Sequence, residues 1–283
     1  MRYRWVVLLF AAACLAACTG CATQGSWLQT PDERARVVLA ANQFELLPAS
    51  PHVLAALHAA TGKPQRLTIF IEGDGASWPR PSMPPLDPTP GKPLSLLLAV
   101  SHANAPAHLG EAVAYLGRPC QYLLPGDLAS CPVAWWTLGR FGAVPLRLMS
   151  ARLDELKAQA PNAILRLVGY SGGGAAAALL AAQRSDVACL VTVAAPLDTA
   201  AWTRAKNVSA LSESQNPLDV AVTLRSIPMT HFSGGNDDVV PAGVNQRFML
   251  QAQTFAVVKP GFDHDTQWLK AWPSLAAASC LVN

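Results

Sequence analysis

The chain has little charge. Asp, Glu, Lys and Arg together make up 14% of it, and the formal net charge is only +3. Two of the positive charges, Arg2 and Arg4, lie at the very start, so residues 18–283 carry a net +1. No basic patch remains of the kind that nucleic-acid binding requires, and that class of partner is excluded. There is no internal repeat and no long linker, which leaves a single domain, and the chain is long enough to bury a sizeable core. The apolar run Trp5–Ala13 is too short to cross a bilayer as a helix.

The N-terminus has a different use. A basic stretch, Met1-Arg2-Tyr3-Arg4, precedes that apolar run, and Leu15-Ala16-Ala17-Cys18 follows it. This order is that of an export signal. The tetrapeptide resembles a bacterial lipoprotein signal, cleaved before a cysteine that is then lipidated. The resemblance implies a signal peptide over 1–17, a lipid anchor on Cys18 and a tether over 18–34. Cys14 and Cys21 lack the Leu-Ala-Ala context, and an ordinary secretory signal is the alternative. Thr19, rather than an aspartate, follows Cys18. By the rule known for such lipoproteins, this places the protein in the cell envelope, at the outer membrane of a Gram-negative bacterium.

Strand-like and helical patterns alternate over the rest of the chain. Strands are predicted near 66–72, 112–117, 163–169, 187–194, 227–233 and 254–259, and helices near 51–61, 94–104, 144–159, 174–184, 243–253 and 265–278. This is the signature of an α/β domain, a mostly parallel central sheet with helices on both faces. Between Pro196 and Ser226 there is room for a small cap at most. Residues 79–93 hold seven prolines and form an irregular loop, either a wall of a site or a rigid surface connection. Trp135, Trp136 and Trp202 either line a pocket or pack. Cys120 and Cys131 bracket a short loop reversed by Pro125-Gly126, and an oxidising compartment predicts a disulfide between them. Cys189, in an apolar strand, reads as a buried free thiol, with a link to Cys280 left open.

The apolar run Ala163–Val168 leads into Gly169-Tyr170-Ser171-Gly172-Gly173, and a helical stretch follows. A serine between strand and helix, with glycines two residues to either side, is the pattern of a nucleophile elbow. Further on, the strand 227–233 opens into Gly234-Gly235-Asn236-Asp237-Asp238-Val239-Val240-Pro241, and the strand 254–259 into Pro260-Gly261-Phe262-Asp263-His264. In order and spacing this resembles the α/β-hydrolase superfamily, over most of residues 35–280. The resemblance implies Ser171 as nucleophile, Asp237 as acid and His264 as base. His264 would accept the serine proton, and Asp237 would hold the imidazole and stabilise its charged form. Asp238 is the rival acid and His231 the rival base; as a strand residue, His231 reads as a structural histidine. The other histidines, His52, His58, His102 and His108, precede the elbow.

In that superfamily the strand matching Leu67–Ile71 often ends in His-Gly, and the next residue gives its backbone N–H to the oxyanion. Here Glu72-Gly73 takes that place, so the donors would be Asp74 and, after the nucleophile, Gly172. The Asp74 carboxylate would repel an oxyanion, so its side chain is expected to point away. No histidine or cysteine cluster accompanies this glycine-rich segment, which argues against a metal loop. The segments Asp87-Pro88-Thr89-Pro90 and Arg118-Pro119-Cys120-Gln121 look like those of bacterial hydrolase-like proteins of unassigned substrate. The resemblance implies hydrolysis of a small or lipid-like acyl substrate, most simply an ester, with no metal or organic cofactor. Acyltransferase or amidase chemistry on the same residues is an alternative. A non-catalytic envelope lipoprotein is the reading from another class, and Glu72 is its support.

Cys18→Ser should abolish incorporation of a palmitate analogue in metabolic labelling. Labelling that persists in this variant would move the anchor to Cys14 or Cys21.

Overall fold

The sheet is assembled from apolar runs that are buried on both faces. In the computed structural model, which describes residues 30–48, 50, 52–60, 62–76 and 82–282, eight strands form one sheet. They are β1 (Glu45–Leu46), β2 (Ala55–His58), β3 (Arg66–Ile71), β4 (Ala112–Leu116), β5 (Ile164–Tyr170), β6 (Val187–Val193), β7 (Met229–Gly234) and β8 (Ala256–Lys259). Their order is β1-β2-β4-β3-β5-β6-β7-β8. Strands β3 to β8 run parallel, and β2 pairs antiparallel with β4 and β1. The expected signal peptide, Cys18 and the first part of the expected tether lie outside the described residues.

Alternate strand residues feed two cores. Leu67, Ile69 and Ile71 of β3, with Leu165 and Leu167 of β5, face one side. There they meet helices α4 (Ala143–Gln159), α5 (Gly172–Ala181) and α7 (Gln246–Ala252), the one-turn α3 (Pro125–Leu128) preceding them in the chain. Phe70, Val168 and Tyr170 face the other side, against α1 (Pro31–Ala41), α2 (Leu94–Ala103) and α8 (Trp268–Ala277). Each large apolar side chain buried this way contributes roughly 1.5–3 kcal/mol. All ten residues of α5 are buried, and its run of glycines and alanines lets the helix axis lie close to the sheet. A short helix α6 (Thr199–Ala205) and two 3-10 turns fill the space of the small cap.

Three expectations are corrected. The helix expected over 51–61 is not formed: among its described residues, Ala55 to His58 make a strand along the open edge of β4, with Ala56 opposite Tyr115. Alanine and leucine favour a helix locally, but the hydrogen bonds offered by an unpaired strand edge outweigh that preference. The tether does not reach residue 34, because α1 starts at Pro31. Thr30 caps it, and Glu33 completes a capping box. Cys189 is not a free thiol: it is bonded to Cys280, tying β6 to the C-terminal turn. Cys120 and Cys131 form the second disulfide.

The two bridges close loops of very different length, with sequence separations of 11 and 91 residues. In the chain-entropy account the longer loop gives the larger gain, within about 2–5 kcal/mol. Cys280→Ser should therefore lower the melting temperature more than Cys120→Ser, as followed by circular dichroism. The reverse order would mean that local packing at Cys120 outweighs loop closure.

Candidate active site

Strand β5 ends at Tyr170 and helix α5 begins at Gly172, so Ser171 must turn the chain by itself. It does so at φ 52°, ψ −128°, a left-handed conformation that costs a serine about 1–3 kcal/mol. The turn is this sharp because the chain on either side is pressed against its neighbours. A Cβ on Gly169 would lie 2.3 Å from the Gly173 carbonyl oxygen, and one on Gly173 2.3 Å from that of Ile71.

The loops after β7 and β8 open at the same end of the sheet. His264 Nε2 lies 3.0 Å from Ser171 Oγ, and His264 Nδ1 lies 2.9 Å from Asp237 Oδ2. The other Asp237 oxygen accepts the Val239 and Val240 N–H groups, which fixes the carboxylate. The His264 carbonyl accepts the Trp268 indole N–H and the Tyr170 hydroxyl. Asp263 accepts bonds from Thr266 and Asp265, closing the turn that carries His264.

The rival residues lie elsewhere. Asp238 is exposed, and its carbonyl accepts a bond from Lys206. His231 is buried within the sheet, bonded to Thr192 Oγ1 at 2.8 Å, and burial pushes its imidazole down to about 4. It is neutral at pH 7 and does not reach Ser171.

The Gly172 N–H is the first of α5 and has no acceptor within the helix. Gly73 packs against Tyr170 and the Ser171 side chain, so Asp74 follows at the edge of the elbow. No hydrogen bond engages the Asp74 N–H among the described residues. The expectation that its side chain points away is corrected. The carboxylate folds over Gly172, where a Cβ would lie 1.9 Å from Oδ1. It is held there by Arg118 at 3.0 Å and Arg140 at 2.6 Å. Burial alone would raise this carboxyl, but the charges of Arg140 and Arg118 outweigh it and the net direction is down.

Glu72, in place of the histidine, is fully buried. Its carboxylate accepts the N–H groups of Gly73, Ser95 and Leu96 and the Tyr115 hydroxyl. Ser95 and Leu96 belong to the first turn of α2, where backbone N–H groups and the helix dipole favour an anion. Burial pushes the Glu72 carboxyl up, and these four donors oppose it.

The sequence matches no protein-family model and no curated protein. Solved structures do match. An alpha-beta serine hydrolase homologue from Coxiella burnetii is 15% identical, with TM-score 0.55, over 85% of this chain and 96% of that one. The esterase domain of a Rhodothermus marinus protein is 17% identical, with TM-score 0.53, over 81% and 92%. Proline iminopeptidase from Mycobacterium smegmatis is 13% identical, with TM-score 0.58, over 84% and 96%. The chain has the α/β-hydrolase fold.

In this α/β-hydrolase fold the elbow opens into a cleft of about 1420 Å³. One stretch of its wall is apolar, from Trp202, Val208, Leu211 and Val239. The proline-rich loop contributes Pro90, Gly91 and Lys92, so its described part does wall the cleft. Trp202 is at the cleft, whereas Trp136 packs with the Cys120–Cys131 pair and donates to the Pro85 carbonyl.

Arg118, Arg140 and Gln121 were not anticipated as site residues. Only the segment Arg118-Pro119-Cys120-Gln121 carried a signal, and Arg140 carried none.

One cluster among the described residues has metal-ligand chemistry: His102, His108 and Glu111, at the opposite end of the sheet. The guanidiniums of Arg66 and Arg166 each lie 3.5 Å from the same Glu111 oxygen. Two fixed cations there disfavour a third.

The geometry separates the two aspartates. Asp237→Asn should slow phosphonylation of Ser171 by a fluorophosphonate probe by on the order of 10³–10⁴-fold. Asp238→Asn should change it less than about threefold, as expected of an exposed group outside the bonded set. A severe effect of Asp238→Asn alone would transfer the acid role.

Proposed function

We propose that the protein is a serine hydrolase of the cell envelope, held to the membrane by a lipid on Cys18, that cleaves carboxylic esters through an acyl-enzyme on Ser171. The observation that carries this reading is the bonded line from Ser171 Oγ through His264 to Asp237. A serine hydroxyl is a weak nucleophile at neutral pH and needs a base within hydrogen-bond reach. His264 takes the proton as Ser171 attacks the carbonyl carbon, and Asp237 stabilises the imidazolium. The N–H groups of Gly172 and Asp74 receive the oxyanion. His264 then protonates the leaving alcohol. Water, deprotonated by His264, attacks the acyl carbon; the bond to Ser171 Oγ breaks, and His264 returns the proton to Ser171 as the acid leaves.

The apolar wall of Trp202, Val208, Leu211 and Val239 suits an acyl chain, which favours esters of apolar acids over peptides. Glu72, the feature that would favour a non-catalytic scaffold, is satisfied by four donors, and neither the Asp74 nor the Gly172 N–H is among them.

The test is a series of p-nitrophenyl esters of increasing acyl length, with matching amides in parallel. Esters should be hydrolysed faster than amides, with a preference for medium or long chains. Ser171→Ala should remove on the order of 10⁶-fold of the rate. No hydrolysis by a folded wild-type protein that also resists the fluorophosphonate probe would favour the scaffold reading.

A further inference from the structure

Asp74 poses a charge problem. In the proposed reaction its N–H receives the oxyanion, and its own carboxylate lies against Gly172, the other proposed donor. Like charges at such range in a partly desolvated site repel strongly. Two arginines are arranged against this. Arg118 Nη1 bonds one Asp74 oxygen and Arg140 Nη1 the other. The two are tied together, since Arg118 Nη2 donates to the Arg140 carbonyl at 2.6 Å. Arg140 Nε donates to the Thr137 carbonyl at 2.7 Å, and Arg118 lies over the Phe141 ring.

On the serine-hydrolase reading above, we propose that Arg118 and Arg140 are positioning residues of the oxyanion hole. They lock the Asp74 side chain onto Gly172, which aims the Asp74 N–H, and they leave one net positive charge where the anion forms.

A second set of contacts braces the same loop. Gln121 accepts the Arg118 N–H and donates to the Gly73 carbonyl at 3.0 Å. Ala76 donates to the Pro88 carbonyl, and Tyr122 donates its N–H to Thr89 Oγ1. The segments 87–90 and 118–121 thus converge on residues 73–76. Cys120 and Tyr122 have φ of 72° and 61° on either side of Gln121. A non-glycine chain holds such angles only under constraint, and the Cys120–Cys131 bridge supplies one.

The test uses the full chain. Phosphonylation of the wild type by a fluorophosphonate is measured first. Then kcat and KM on one p-nitrophenyl ester are measured for Arg140→Gln, Arg140→Lys, Asp74→Asn and the double variant Asp74→Asn/Arg140→Gln. Arg140→Gln should lower kcat by on the order of 10²-fold, comparable to losing one oxyanion donor. Its KM should change by less than about threefold, because the interaction matters only in the transition state. Arg140→Lys should keep most of kcat. Adding Asp74→Asn to Arg140→Gln should restore most of it, because the charge that needed cancelling is gone.

An unchanged kcat in Arg140→Gln, a raised KM alone, or a double variant no faster than Arg140→Gln would each overturn the proposal. A raised KM alone would instead make Arg140 a contact for an anionic substrate group. If Arg140→Gln does not fold, the folded Lys and double variants decide the matter: both should stay within about tenfold of the wild-type kcat, and a larger loss overturns the proposal. Absence of wild-type phosphonylation would overturn the hydrolase reading and this proposal with it, whereas wild-type labelling with an unaffected Arg140→Gln kcat would overturn this proposal alone.

Discussion

Ser171 is held in a backbone conformation that serine avoids, and the rest of the site is arranged around that constraint. A residue at φ 52° between a parallel strand and a helix persists only if both neighbours are locked. The lock is close packing. Tyr170 pairs in register with Val193, and the Ser171 N–H donates to the Val193 carbonyl at 2.8 Å. Gly169 and Gly173 bring the backbones of β5, α5 and the end of β3 into direct contact. The alanine-rich face of α5 extends that contact along the helix. The strain is spread over a fully buried helix and a central strand, the parts of the molecule least free to relax.

Once the elbow is placed, parallel sheet order determines the rest. Successive parallel strands send their C-terminal loops to one end, so residues 93 positions apart in the chain, Ser171 and His264, meet within hydrogen-bond reach. Asp237 comes from the neighbouring loop, where one carboxylate oxygen accepts two backbone N–H groups and the other meets His264. The opposite end of the sheet shows the same sheet geometry used differently. There, Glu111 gathers His102, His108, Arg66 and Arg166 in a polar cluster away from the cleft. Histidine and glutamate occur at both ends, but among the described residues the Ser171–His264–Asp237 line lies at the end with the elbow.

Acidic residues at the oxyanion strand are accommodated by two separate devices. Glu72 is buried and satisfied by the start of α2 and by Tyr115. Asp74 is partly exposed, at 27% of its side chain, and paired with two guanidiniums. Each device recruits a segment remote in sequence. This accounts for a loop that would otherwise be too acidic for the chemistry proposed for it.

Local sequence was enough for the periodic strands, which fall within two residues of their observed ends from β3 onward, for the helices that alternate with them, and for the serine elbow. These are short-range patterns: an apolar run of fixed period, or glycines at set distances from a serine, carries its meaning without knowledge of its neighbours. Ser171, Asp237 and His264 were nameable because their spacing from strand ends is local too. The segment 53–58 was misread because its partner, the edge of β4, lies some sixty residues away. The pairing of Arg118 and Arg140 with Asp74, and the choice of Cys280 for Cys189, which the sequence leaves open, are not decided locally for the same reason. A long-range charge partner or disulfide is chosen by which side chains the packed sheet brings within a few ångströms, and no local pattern encodes that distance, whereas the short Cys120–Cys131 loop is local and readable.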